Sequence, residues 1–293
     1  VGPARLTLAA LLCCIPACRA APGSLILGAS SSVSDSGLLD SLVAGYRRAH
    51  PGARVRTVVA GSGPLLDLAR RGSADVLLVQ APEAEERYLR ETPAAERIPF
   101  MYNEYLLVGP ADDPAGIAGL RDPLRALDRI ERTQARFVSR GVGSGTHERE
   151  AALWREAGIE PRGDWYMEAD EDQAVTLRLA GRRRAYTLTD RATFARLEPE
   201  LALEPLVRGQ VSLLNLYSVI VPGGSGRAAA VEFARWLTSL PGRRTIAGFG
   251  QDHAGFPLFA PVLVGRSLPF PVGMEEDSSA EDSTSSGVTG PAP

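Results

Sequence analysis

Ser139-Arg140-Gly141-Val142-Gly143-Ser144-Gly145-Thr146-His147 is the stretch whose reading decides the fold. Residues 135–138 before it read as a short strand, and an amphipathic pattern over residues 148–157 reads as a helix. Strand, glycine-rich turn and helix start together point backbone N–H groups at an anion. The three glycines let the backbone approach a ligand closely. Ser144 and Thr146 add hydroxyl donors, and Arg140 adds a full positive charge on a rigid fork. The same residues also make an ordinary capped helix after a turn, so this stretch alone leaves both readings open.

Two more stretches repeat the arrangement. Ser30-Ser31-Ser32-Val33-Ser34-Asp35-Ser36-Gly37 lies between a β-like run at 24–29 and a helical pattern at 38–49. Gly61-Ser62-Gly63-Pro64 lies between a strand pattern at 54–60 and a helix at 65–71. Further strands are expected at 75–80, 105–109, 164–168, 185–188 and 217–222, alternating with helices at 82–91, 123–133, 173–180, 192–197, 227–239 and 242–248. This alternation with short connections predicts an α/β fold with parallel layers. At 293 residues the chain exceeds one typical domain, so two lobes are expected. Residues 24–110 with 217–265 would form the first lobe and 111–216 the second, the chain crossing near Asp112-Asp113-Pro114-Ala115-Gly116.

In open α/β sheets ligands sit at the carboxyl ends of strands, where helix N-termini converge. Two turns in one lobe and one in the other would then face each other across a cleft and surround a small tetrahedral anion. Each turn taken singly is also explained by N-capping, for which Ser and Gly are common. Asp35 is the one carboxylate in the three turns. A surround made of donors suits a fully ionised dianion such as tungstate, molybdate or sulfate. Monohydrogen phosphate carries a proton that calls for an acceptor.

Composition removes several alternatives. Net charge is −3, and no nucleic-acid partner is expected. All 32 basic residues are arginine, which excludes a P-loop lysine and any Schiff base. Ser144 lacks the G-x-S-x-G frame because position 142 is Val142. His50, His147 and His253 are scattered, so neither a metal site nor an enzyme is expected. The acidic run Glu83, Glu85, Glu86 reads as a solvated helix face, and Trp154, Trp165 and Trp236 read as core. Thr189-Asp190-Arg191 reads as a helix N-cap with an intrachain ion pair, or as support behind an anion site.

The opening residues read as an export signal over 1–20: Arg5, an apolar run at 6–15 too short to span a bilayer, and Ile15-Pro16-Ala17-Cys18. That tetrad resembles a lipoprotein cleavage box, with 1–17 as the signal and Cys18 lipidated. All three cysteines lie within the first 18 residues. Residues 266–293, rich in Ser, Glu, Asp, Gly and Pro, are expected to be disordered.

Several motifs in order carry a resemblance. SSSVSDSGLLDSL (30–42), ADVLLVQAPEAEE (74–86), MYNEYLLVGPADDPAGI (101–117), SRGVGSGTH (139–147) and YTLTDRATF (186–194) resemble the tungstate-binding proteins of bacterial ABC uptake systems. The resemblance covers about residues 25–259 and implies a two-lobed periplasmic binding protein fold with the ligand cleft between lobes. It also implies a monomer, an oxyanion ligand, no cofactor and an ABC permease as membrane partner. Ser30 and Ser31 stand where the family has threonines, and Ser62 occupies the second turn's hydroxyl position. Arg140 and Thr146 match the ligand arginine and threonine, with Ser144 and Gly145 between them. Asp190 and Arg191 would stand behind this set. The chain departs from the family pattern at Ala29, Val33, Gln80 and Val142. Those departures motivate two alternatives: the same fold binding molybdate or another oxyanion, and an exported sensory or structural module with a vestigial cleft.

Overall fold

A computed structural model describes residues 24–263 except 142, 225 and 252–254. The expected signal at 1–20, lipidation at Cys18 and the tail at 266–293 lie outside the described residues. The chain lays down β1 (Ser24–Ser30), a short α1 (Ser31–Asp35), α2 (Leu38–Ala49), β2 (Arg54–Ala60), α3 (Ser62–Arg70), β3 (Val76–Val79) and α4 (Pro82–Glu91). The long β4 (Glu96–Gly109), α5 (Pro123–Thr133), β5 (Phe137–Ser139), α6 (Gly145–Glu156), β6 (Tyr166–Glu168), α7 (Gln173–Arg183), β7 (Thr187–Asp190) and α8 (Arg191–Leu197) follow. After β8 (Glu204–Val207) come β9 (Leu214–Val221), α9 (Arg227–Thr238), α10 (Leu240–Gly248) and β10 (Ala260–Pro261).

β4 belongs to both halves of the molecule. Residues 96–104 pair with β9 in a first-lobe sheet ordered β2-β1-β3-β9-β4-β10. From Tyr105 onward the same strand pairs with β7 and β8. β5 runs beside β7 through a bridge between Phe137 and Tyr186, and β6 flanks β5. The expectation of parallel layers needs correction. β1, β2 and β3 are parallel, but every pairing of β4 and β9 is antiparallel. A strand that leaves one sheet and a strand that returns beside it must run in opposite directions, which explains the mixture. The sheet also changes hands at Tyr105, before the expected crossing at residues 112–116, and β9 begins at Leu214, earlier than the strand expected at 217.

Both sheets are covered on two faces. In the first lobe α2, α9 and α10 enclose Leu42, Tyr46, Phe233, Trp236, Leu237 and Ile246, while α3 and α4 cover Leu65, Leu66 and Tyr88 on the other side. The α2 face matches the apolar positions read from sequence: Leu38, Leu39, Leu42, Val43 and Tyr46 are all buried. In the second lobe Leu127, Ile130, Phe137, Trp154 and Trp165 pack on one face, and Leu177, Phe194 and Leu197 on the other. All three tryptophans are therefore core, as expected. Each large apolar side chain buried in this way contributes about 1.5–3 kcal/mol.

The acidic run on α4 is not a uniformly solvated face. Glu85 is fully buried, accepts from the Ala81 amide at 2.8 Å and pairs with Arg97 at 2.7 Å. Its neighbours Glu83 and Glu86 are exposed. The apolar Ala84 and Tyr88 draw one side of α4 inward, and Glu85 goes with them because Arg97 and the helix start satisfy it.

Candidate functional site

Parallel pairing of β1 and β2 puts Ser30 directly beside Ala60, so the turns that leave these two strands are neighbours. Ser30 is the N-cap of α1, Gly61 of α3 and Ser144 of α6. The third turn enters from the second lobe. Gly143 O accepts from the Gly63 amide at 3.1 Å, which ties the second and third turns together. Gly141 has φ 85°, a left-handed conformation that suits glycine. Gly145 is forced by proximity, since a Cβ there would overlap the Gln80 carbonyl oxygen.

Side chains from the three turns form two hydrogen-bonded sets, which lie next to each other along Ser30-Ser31-Ser32. Arg140 donates from Nη2 to Ser31 Oγ at 3.2 Å, across the two lobes. Ser30 and Ser32 hydroxyls lie 3.4 Å apart. Gln80 donates from Nε2 to Ser32 Oγ at 2.6 Å and accepts from Ser62 Oγ at 3.2 Å. Ser30, Ser31, Ser62 and Arg140 thus meet at one place, all of them buried. Thr146 is buried beside the Tyr105 hydroxyl. Ser144 is engaged locally: its oxygen accepts from the His147 amide at 3.0 Å and it donates to Gly141 O at 3.3 Å. Its hydroxyl caps α6 and so shapes the turn.

Asp190 and Arg191 play separate parts. Asp190 Oδ1 accepts from the amides of Ala192 and Thr193 at 3.1 and 3.0 Å, capping α8, and from Asn103 Nδ2 at 3.3 Å. The ion pair is not between these two neighbours. Arg191 pairs with Glu104 on β4, whose other oxygen accepts from the Gly209 amide at 2.9 Å. Both residues brace the crossing of β4, and Asp190 reaches the network through its charge on Asp35.

The donor-only surround does not hold around the guanidinium. Burial lowers the pKa of Arg140, and the carboxylates of Asp172, Asp35, Glu171 and Asp170 oppose that shift. Burial pushes Asp35 up to about 6, helped by Asp172 and Asp190, while the Ala174 amide and Arg140 pull it down. Asp170, Glu171 and Asp172 come from the segment just before α7, far from the turn in sequence, which is why the turn alone did not reveal them.

Sequence reasoning also missed two supporting residues. Gln80 stood out only as a departure from a motif, yet it links the first and second turns. Glu150 is buried on α6, accepting from Trp154 Nε1 and the Tyr166 hydroxyl. A carboxylate on the inward face of an amphipathic pattern was the available signal.

The match to known proteins follows this geometry. Residues 17–240 match the model of a PBP superfamily domain. Tungstate-binding protein TupA of Peptoclostridium acidaminophilum is 37% identical over 82% of this chain and 86% of its own length. The chain belongs to the tungstate-binding protein family, within the PBP superfamily. Two solved structures agree with that membership. The tungstate ABC transporter from Geobacter sulfurreducens is 32% identical, superposes with a TM-score of 0.71 and covers 77% of this chain and 98% of its own. The tungstate-binding protein TupA from Desulfovibrio alaskensis G20 is 32% identical, with a TM-score of 0.68, covering 82% and 98%.

As a member of the tungstate-binding protein family this chain is a substrate-binding protein, not an enzyme. Its departures from the family motif acquire a physical reading. Ala29 and Val33 are both fully buried in the first-lobe core, so apolar packing takes the place of hydroxyls there. Gln80 keeps a polar group between Ser32 and Ser62. Val142 lies outside the described residues.

Proposed function

We propose that this protein captures tungstate between its lobes and delivers it to an ABC permease. The observation that carries the reading is the reach of Arg140 from one lobe to Ser31 of the other, at the point where three hydroxyl-bearing turns meet. The guanidinium offsets anionic charge, and Ser30, Ser31, Ser62, Thr146 and the turn amides, including that of Gly145, replace the water shell. Because the donors come from both halves, a bound anion favours the closed arrangement. Molybdate, of the same charge and shape, fits the same donors. The protein works outside the cytoplasm as a monomer without a cofactor, anchored by lipid on Cys18, and does not bind nucleic acid.

Calorimetry and thermal melts with tungstate, molybdate and sulfate test this. An anion held at 100 times its Kd stabilises the protein by about 2.7 kcal/mol, read as a raised Tm. No heat and no shift with any of the three would leave a vestigial cleft as the correct reading.

A further inference from the structure

Gln80 directly follows β3 and is 3% exposed. Its side-chain amide spans two turns: Nε2 donates to Ser32 Oγ at 2.6 Å, and Oε1 accepts from Ser62 Oγ at 3.2 Å. Its backbone N–H also donates to Ser62 Oγ, at 3.3 Å. Ser32 and Ser62 are themselves buried, and Ser32 Oγ lies 3.4 Å from Ser30 Oγ. Ser32 and Ser62 are joined through Gln80 and, among the described residues, by no hydrogen bond of their own. The third turn lies against the same residue, since a Cβ on Gly145 would overlap the Gln80 carbonyl oxygen.

We propose that Gln80 is a positioning residue that sets which way the serine hydroxyls of the first two turns point, and so which hydrogens face an incoming oxyanion. This rests on the anion-binding reading of the site. A serine hydroxyl has one hydrogen and two lone pairs. Ser32 accepts from Nε2 of Gln80, so its own hydrogen stays available, either to the anion or to Ser30, whose hydrogen is then released in turn. Ser31 accepts from Arg140 and likewise keeps its hydrogen. Ser62 is the opposite case. It accepts from the backbone N–H of Gln80 and spends its hydrogen on Oε1. Ser62 then meets the anion through its backbone N–H, one of the free donors at the start of α3. The reverse orientation of the amide would consume the hydrogen of Ser32 and release that of Ser62. Ser62 thus fixes the amide, and the amide fixes the first turn. Hydrogens attract a fully ionised oxyanion and lone pairs repel it, so the direction of these bonds decides whether the first turn binds.

Titration calorimetry with tungstate tests this on the full chain. Gln80→Met, of similar length but without the amide, should weaken binding about five- to fiftyfold. Gln80→Asn keeps an amide that is one methylene too short to reach both serines, and should weaken it at least about threefold. A residue that only filled space, or only kept the pocket polar, would be replaced by one of these without loss, so an unchanged Kd in either variant overturns the proposal. A double-mutant cycle reads the bridge itself. Ser32→Ala and Ser62→Ala each break it, so together they should cost about threefold less than the product of their separate losses. In the Gln80→Met background, or in Gln80→Asn should the methionine variant not fold, the two losses should simply multiply. Losses that multiply with Gln80 in place, or a coupling that survives its replacement, also overturn the proposal. Absence of binding of tungstate, molybdate and sulfate to the intact protein would instead overturn the anion-site reading beneath it.

Discussion

Arg140, carried by the second lobe, donates its guanidinium to the hydroxyl of Ser31 on the first at 3.2 Å. One side chain therefore holds charge and closure together. A buried arginine without a carboxylate ion pair is costly to bury and is relieved by an anion. Asp35, Asp170, Glu171 and Asp172 supply only partial compensation from nearby.

Replacing Arg140 by alanine should weaken tungstate binding by at least tenfold. A charge-assisted hydrogen bond contributes roughly 1.5–3 kcal/mol, about 10- to 150-fold. Titration calorimetry measures this, and an unchanged Kd would remove Arg140 from the site.

Gly145→Ala separates closure from folding. Alanine is the better helix former by about 0.8–1.0 kcal/mol, and Gly145 opens α6 without a positive φ. Its Cβ nevertheless meets the Gln80 carbonyl of the other lobe. The variant should melt within a few degrees of the parent but bind tungstate at least tenfold more weakly. Small-angle scattering should show that added anion no longer compacts it.

Glu148 joins the lobes at a second place. Its carboxylate accepts from the Glu83 and Ala84 amides at 2.8 and 3.3 Å, at the start of α4. Burial raises its pKa, and those two amides oppose the rise. A carboxylate at a helix start contributes about 0.5–2 kcal/mol, so Glu148→Ala should lower affinity about two- to thirtyfold. The neighbouring Arg155–Glu83 pair, at 3.1 Å, is exposed on both sides. Arg155→Ala should change affinity less than about threefold.

Asp35 predicts a pH dependence of stability. Its pKa rises from the usual 3.8 to about 6 on folding, so the native state holds this proton more tightly than the unfolded chain. Its contribution becomes less favourable as pH climbs from 3.8 to 6 and is level above that. Asp35→Asn, which still accepts from the Ala174 amide, should raise Tm by a few degrees at pH 7–8. The gain should fade as pH drops through 6 towards 4. A gain that persists at pH 4 would mean that something other than ionisation is at work.

Much of the architecture was legible because local signals and burial agreed. β2, α4 and α5 keep the bounds 54–60, 82–91 and 123–133 read from the sequence. The three turns were legible as strand-to-helix junctions, and the structure brings them together. What stayed hidden depended on pairing between distant segments. The first nine residues of β4 were missed because Pro99 and mixed polarity blur an alternating pattern, whereas their strand character comes from β9 alongside. Asn103 and Glu104 are polar residues beside an apolar run, and both are buried because Asp190, Asn215 and Arg191 pair with them. The acidic residues around Arg140 were invisible for the same reason: 170–172 reach it only through the fold.

β4 and β9 are hydrogen-bonded to each other up to Glu104 and Leu214, where β4 passes from one sheet to the other. A bonded two-stranded ribbon flexes far more readily than it slides, since slippage by one residue would turn every side chain to the opposite face. The halves of this molecule are therefore expected to swing like a book on its spine. Each return would bring Arg140 back to the same serine without any search for alignment.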